Sequence, residues 1–271
     1  MLKLISYLIA SAYLVVCGAY IMVYVREDSR LRQPARIFAV AATLAHLVYL
    51  VFLARSLHHH PITTVFEAAA TLAFMVSALF IILDIRLGAR SVGIFIFLFV
   101  FALQLVSSVF LEITPSEYSM MSGIILPAHI YLALLGYSAF TIGFLYSIMY
   151  ILLHREIRSG GFGRVFRRFP SLEELDELNY QAVLAGLVLL FVSIVLGFVW
   201  YKIKFEALPF FDAKVMFTLF AWMLYMIIAL FRTMYGWHGR RIAILSICGF
   251  LIVMTSFTLV NLLARSFHAH F

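Results

Sequence analysis

Eight separate runs of this chain are apolar for about the length of a bilayer crossing, and that pattern constrains the fold more than any motif. They lie at about 4–25, 37–54, 64–84, 91–111, 127–152, 182–201, 213–234 and 242–264. A helical span takes roughly 20 mostly apolar residues. Inside hydrocarbon the backbone amides must be satisfied within a helix or a closed barrel. Eight runs of this length predict an all-α polytopic membrane helix bundle of about eight transmembrane helices, a single integral-membrane domain over 1–271. The composition fits: 65% of residues are hydrophobic and only 12% charged, with mean hydropathy +1.05, where soluble domains carry about 25% charged residues. The first run is too long for the apolar region of a cleavable signal and leads into a charged loop, so it reads as the first span. Cys17 and Cys248 sit inside apolar runs, away from any CxxC spacing, and read as small core residues.

Charge sets the orientation. The loops after the first, third, fifth and seventh runs hold 14 of the 20 Lys and Arg residues, while Lys3, Arg55, Lys202, Lys204, Lys214 and Arg265 fall on the other side. Positive loops stay in the cytoplasm, which predicts both termini outside, N-out and C-out. The net charge of +7 then reports topology rather than a nucleic-acid partner.

Residues 154–181 form the longest cytoplasmic loop. Within it, GRVFRR (163–168) is a basic strip suited to anionic membrane lipid. Ser171 and Glu174 make a capping box, and Leu172, Leu175 and Leu178 recur as on a helix face. A short cytoplasmic amphipathic helix is expected near 171–178. No Gly-rich phosphate loop, nucleophile elbow or zinc-type Cys/His cluster is present, so no enzyme chemistry is expected.

The nine histidines divide by side. His154 and His238 stand among cytoplasmic arginines and read as solvated or lipid-facing residues. His46 lies in mid-span, either a functional group or a neutral imidazole bonded to a neighbouring helix. His58, His59, His60, His129, His268 and His270 gather at the outer face. His129 follows Pro127, which suits the first turn of a helix. Two imidazoles at similar depth among aromatics, with Trp200, Tyr201, Phe205, Phe210 and Phe211 nearby, have the chemistry to ligate a heme iron axially. Zinc would require three or four ligands, and no spacing specifies them. Glu67 at a membrane rim calls for a partner, Arg55 or Lys204 being the expected candidates.

Several stretches together resemble the CcsA/HemX-type cytochrome c assembly family, most of all its HemX branch. PITTVFEA (61–68) is similar to the family's Pro-x-x-Asn/Thr-x-Tyr/Phe-Glu segment. AHIYLALLGYSAF (128–140) resembles its helix with an outward histidine, placing His129 and Tyr137. MYGWHGRR (234–241) is similar to its Gly-Trp-x-Gly-x-Arg turn, and VNLLARSFHAHF (260–271) resembles its closing Asn and terminal histidine, which falls on His268. The likeness runs from about residue 60 to the end, carried by the order of the motifs rather than by any one.

The resemblance implies that His129 and His268 ligate the iron of a non-covalent heme b at the outer face, with His270 incidental. In the family a Trp-Asp-Pro-Lys-Glu segment lies between them. Here Phe211-Asp212-Ala213-Lys214-Val215 stands in its place, keeping Asp212 and Lys214 but not the tryptophan, proline or glutamate. Lys214 then offers its charge to a propionate, Asp212 caps the seventh span, and Trp200 and Phe211 supply aromatic surface. The histidine that heme-export members carry in the seventh span is replaced here by Leu230. The implied function is heme delivery or export in cytochrome c biogenesis, with an outer-face assembly partner or apocytochrome, in a bacterial inner (plasma) membrane. The alternative is a HemX-like regulator of heme biosynthesis that limits glutamyl-tRNA reductase from the cytoplasmic side.

Overall fold

The computed structural model describes residues 1–26, 29–87, 92–111, 123–161, 163–206 and 213–268, with the backbone alone described at 29, 87, 213, 214 and 256–268. The described residues form nine α-helices and one turn of 3-10 helix, with no strand among them. The helices are α1 (Leu2–Arg26), α2 (Arg32–Leu57), α3 (Val65–Leu87), α4 (Gly93–Phe110), α5 (Ile125–Arg158), α6 (Arg164–Arg168), α7 (Leu172–Phe205), α8 (Ala213–Tyr235) and α9 (Arg240–His268). Each expected span has its helix. Seven of these helices are long and apolar enough to cross a membrane among the described residues. The eighth expected span falls on α9, whose side chains from 256 onward lie outside the described residues.

The chain divides into two compact units, residues 1–121 with 159–170, and residues 122–158 with 171–271. In the first, α1 packs against α2 and α4, and α3 against α4. Its core is aromatic, with Tyr20 stacked on Phe97 and Phe80 meeting Phe97 edge-on. Polar side chains inside it find one another. The Ser6 and Ser108 hydroxyls lie 2.7 Å apart, Thr43 and Ser77 2.5 Å apart, and Tyr13 Oη is 3.0 Å from His46 Nδ1. His46 is fully buried and bonded to a neighbouring helix, and its Nε2 has no hydrogen-bond partner among the described residues. Arg36 Nε meets Asp84 Oδ2 at 2.6 Å and ties α2 to the end of α3.

Glu67 corrects the sequence expectation. Its carboxylate accepts from the backbone N–H of Thr63 at 3.0 Å and Thr64 at 3.3 Å, while its own N–H donates to Thr64 Oγ1 at 3.1 Å. This is a reciprocal cap on α3. The ionisable neighbour is His59, with Nδ1 3.8 Å from Oε2, rather than Arg55 or Lys204. A side chain three residues into a helix points back over its own N-terminus, so the local partner wins over a distant one.

In the second unit α5 and α7 make the most extensive helix pair. Each has 34 residues, a rise of roughly 51 Å at 1.5 Å per residue, well beyond a hydrocarbon core of about 30 Å. The helices therefore run on into what reads in sequence as loop. α5 continues to Arg158, and the surface helix expected near 171–178 is the opening of α7 rather than a separate element. The physical reason is local: Ser171 caps the helix, accepting from Glu174 N at 3.1 Å, and no Gly or Pro interrupts 172–185.

The start of α7 is also anchored. Arg232 of α8 meets Asp176 Oδ2 and Glu177 Oε2 at 2.8 Å each, donates to Asp176 O at 2.9 Å, and lies over the Tyr180 ring. The other Asp176 oxygen accepts from Gly239 N at 3.0 Å. Gly239 and Gly236 hold φ of 68° and 64°, a left-handed backbone that glycine adopts at little cost. The Gly-Trp-x-Gly turn between α8 and α9 is thus clamped to α7. Cys248 departs from expectation: Cys17 is buried, whereas Cys248 is exposed.

Candidate functional site

His129 is the fifth residue of α5, two after Pro127. Its Nδ1 lies 2.7 Å from the carbonyl oxygen of Ser193 on α7. A carbonyl oxygen only accepts, so this bond places the ring proton on Nδ1. The Ser193 hydroxyl donates back to the His129 carbonyl at 2.8 Å and lies 3.0 Å from Nδ1. Together the two residues lock the ring's orientation and tautomer from both ends. Nε2 is left as a neutral lone-pair donor with no hydrogen bond among the described residues. Metal-ligating histidines characteristically donate their other ring N–H to a carbonyl or carboxylate, which fixes the tautomer and raises ligand basicity.

Gly197, one turn beyond Ser193, makes room for the ring. A Cβ there would stand 2.8 Å from His129 Cε1 and 2.9 Å from Nδ1. The imidazole borders a cavity of about 250 Å³, with Gly197, Phe198, Trp200 and Tyr201 of α7 and Thr218 of α8 around it. Trp200 meets Tyr201 and Phe205 edge-on, and Tyr201 packs on Phe205 at 4.6 Å, so the end of α7 presents a continuous aromatic surface. The site has an oriented nitrogen donor, an apolar aromatic wall and no carboxylate along the described lining. That combination suits a flat apolar cofactor whose metal takes nitrogen, and does not suit a hard cation that needs oxygen.

The structure brings His129 and Trp200 together at this cavity. His268 is the last residue of α9 and Lys214 the second of α8, and the side chains of both lie outside the described residues. Phe211, Asp212 and His270 lie outside them entirely. No group of three or more metal-type ligands occurs among the described residues.

Ser193 and Gly197 escaped the sequence reading, yet a signal was present. Ser193, Gly197 and Trp200 recur at spacings of four and three on one face of α7. A small-xxx-small pair of this kind marks a close helix approach in membranes. The same face continues through Gly186, against which the Phe140 ring of α5 packs, and a Cβ added at Gly136 would stand 3.3 Å from the Gly186 carbonyl oxygen.

The sequence profile of the family described as cytochrome C assembly protein matches residues 5–268. Protein HemX of Bacillus subtilis is 29% identical over 144 residues, covering 53% of this chain and 52% of that protein. Protein HemX of Brevibacillus brevis is 35% identical over 114 residues, 41% of this chain and 42% of that one. Cytochrome c biogenesis protein CcsA of Prochlorococcus marinus is 31% identical over 162 residues, 52% of each. The chain spans about half the length of the curated relatives it matches, or less.

Proposed function

Because the chain belongs to the cytochrome c assembly protein family, we propose that it is a multi-pass protein of the bacterial inner membrane that holds heme b at the outer face for cytochrome c biogenesis. The observation that carries this reading is the His129–Ser193 pair, with the ring proton committed to a backbone carbonyl and Nε2 free beside an aromatic cavity. His129 and His268 are the proposed axial ligands, Trp200 and Phe211 the aromatic surface, Lys214 the countercharge for a propionate and Asp212 the cap of α8. The redox-active iron and the vinyl groups that become linked to a cytochrome are the cofactor's own chemistry. The chain's residues bind and orient. Ser193 holds His129 in its ligand tautomer, Gly197 leaves the ring its space, and the apolar wall excludes water. No bond-making step is assigned to the protein itself. The partner would be an outer-face assembly factor or apocytochrome that receives the heme.

The test is the visible spectrum of the detergent-purified protein, oxidised and reduced, for wild type, His129→Ala and His268→Ala. A low-spin bis-histidine spectrum lost in each variant is the expected result. Wild-type protein that fails to bind added hemin would overturn the reading.

A second reading, membrane control of glutamyl-tRNA reductase level, draws on the exposed acidic face at the start of α7, where Glu173 and Glu174 face outward from an anchored helix. Deleting 171–178 would remove the opening of α7, so charge reversal is the cleaner test. Glu173→Lys with Glu174→Lys is expected to release reductase control while leaving heme content unchanged. Unaltered reductase levels would discard the regulatory reading.

A further inference from the structure

At the opposite end of α5 from His129 lies a second cavity, about 410 Å³, between the last turns of α5 and the first turns of α9. Its rim carries Arg155, Arg158 and Arg240 with His154 beside them, and its floor is apolar, with Ile244 and Ile247 along α9. The three arginines are exposed and form no ion pair among the described residues. The helix ends sharpen the anomaly. Arg155 and Arg158 in the last turn of α5 complement that helix's negative end. α9, however, opens with Arg240 and Arg241 and has no acidic residue in its first turn, so two cations stand at the positive end of a helix dipole. Arg241 turns away onto the Trp237 ring, and Arg240 faces the cavity. Three guanidiniums, a helix N-terminus and an apolar floor converge on one place that holds no acidic side chain.

The depth is informative. His129 and Arg155 are 26 residues apart on one continuous helix, roughly 39 Å at 1.5 Å per residue. The cavity therefore opens at the membrane boundary opposite the proposed heme site, on the side of the basic loops. We propose that this cleft is a binding site for an anionic phospholipid of the inner leaflet with a two-phosphate headgroup, of the cardiolipin class. The phosphates would be taken by Arg155, Arg158 and Arg240, and an acyl chain would lie along Ile244 and Ile247. A zwitterionic headgroup would leave the excess positive charge unanswered, and a soluble anion would leave the apolar floor empty. The site is independent of the heme reading, since it shares none of that cavity's lining.

The experiment is native mass spectrometry of the full-length protein in detergent, titrated with tetraoleoyl cardiolipin and separately with dioleoyl phosphatidylcholine. Wild type is expected to retain one cardiolipin at concentrations where phosphatidylcholine does not bind. Arg158→Gln with Arg240→Gln should weaken that adduct by about fivefold for each guanidinium removed, while Arg241→Gln leaves it unchanged. Ile244→Trp, which fills the floor without altering charge, should also weaken it, separating a shaped site from diffuse surface attraction. Equal adducts in wild type and the double variant would overturn the proposal, as would equal affinity for the two lipids. Displacement by millimolar inorganic phosphate would reassign the cleft to a soluble anion, and displacement by equimolar hemin to a porphyrin dicarboxylate. Either result ends the lipid assignment.

Discussion

The ligand chemistry of a histidine depends on what its other nitrogen does, and at the proposed heme site Ser193 fixes that for His129. With Nδ1–H given to the Ser193 carbonyl, the His129 ring already holds the tautomer that the proposed ligation needs. Removing the hydroxyl in Ser193→Ala deletes its bond to the His129 carbonyl but keeps the carbonyl contact. Because the carbonyl partner stays, the loss should fall below the about 10–100-fold typical of removing a ligating histidine's own partner, and a hemin titration of this variant should shift without losing the spectrum. Gly197→Ala is expected to do more. Its Cβ would stand 2.8 Å from the imidazole, so the ring must shift off its Ser193 bond, and hemin binding should fall toward the level of His129→Ala. Hemin titration alongside thermal melting checks both variants, and an unchanged hemin affinity in Gly197→Ala would argue against His129 as the ligand in this orientation.

At the scale of elements, α7 carries two jobs on one helix. Its C-terminal end presents the aromatic surface, and its N-terminal end is clamped by Arg232. The Arg232 and Asp176 side chains are 9% and 11% exposed, so breaking the pair leaves a nearly buried charge. Removing one partner of a buried pair costs about 3–5 kcal/mol. Arg232→Met should therefore lower the melting temperature markedly and free the Gly236–Gly239 turn. Arg232→Met combined with Asp176→Leu should recover part of the loss, because the stranded carboxylate is gone. Hydrogen exchange at residues 172–180 would register the loosening. Equal protection in Arg232→Met and wild type would show that Ser171 and side-chain packing hold the helix start unaided. The continuity of α7 was hard to read from sequence, since a surface helix followed by a span and one long helix have the same residue pattern. The anchor at its start, between Asp176 and Arg232 56 positions away, is not written in the local pattern at all.

For the molecule as a whole, the alternation of basic and neutral loops predicts the orientation directly. With Cys17→Ser and Cys248→Ser as background, a single cysteine at Ser159 should react with an impermeant thiol reagent only from the cytoplasmic side, and one at Gly123 only from outside. The reverse labelling would invert the topology and move His129 away from the outer face of the proposed heme site. The two compact units differ in kind. Residues 1–121 with 159–170 enclose a polar-dotted aromatic core around His46, while residues 122–158 with 171–271 contain both described cavities. The division was not visible in hydropathy, which counts spans but is silent on which spans pack together.

The sequence by itself located the eight long helices, because the length of apolar segments answers directly to the bilayer and needs no knowledge of neighbours, and its charge pattern predicts how they are oriented. It also singled out His129, through its place beside Pro127 at the edge of a span and through family likeness. Tertiary structure alone decided the state of that residue. The Ser193 carbonyl and the space at Gly197 lie more than 60 positions away, and a tautomer depends on which atom stands 2.7 Å from a ring nitrogen. The same holds for Glu67, which turned to its own helix cap, and for Arg240, whose three-arginine cleft exists only because the last turn of α5 and the first turn of α9 meet. Segment-level forces are written locally in the chain. Directional, short-range ones are written only where distant residues touch.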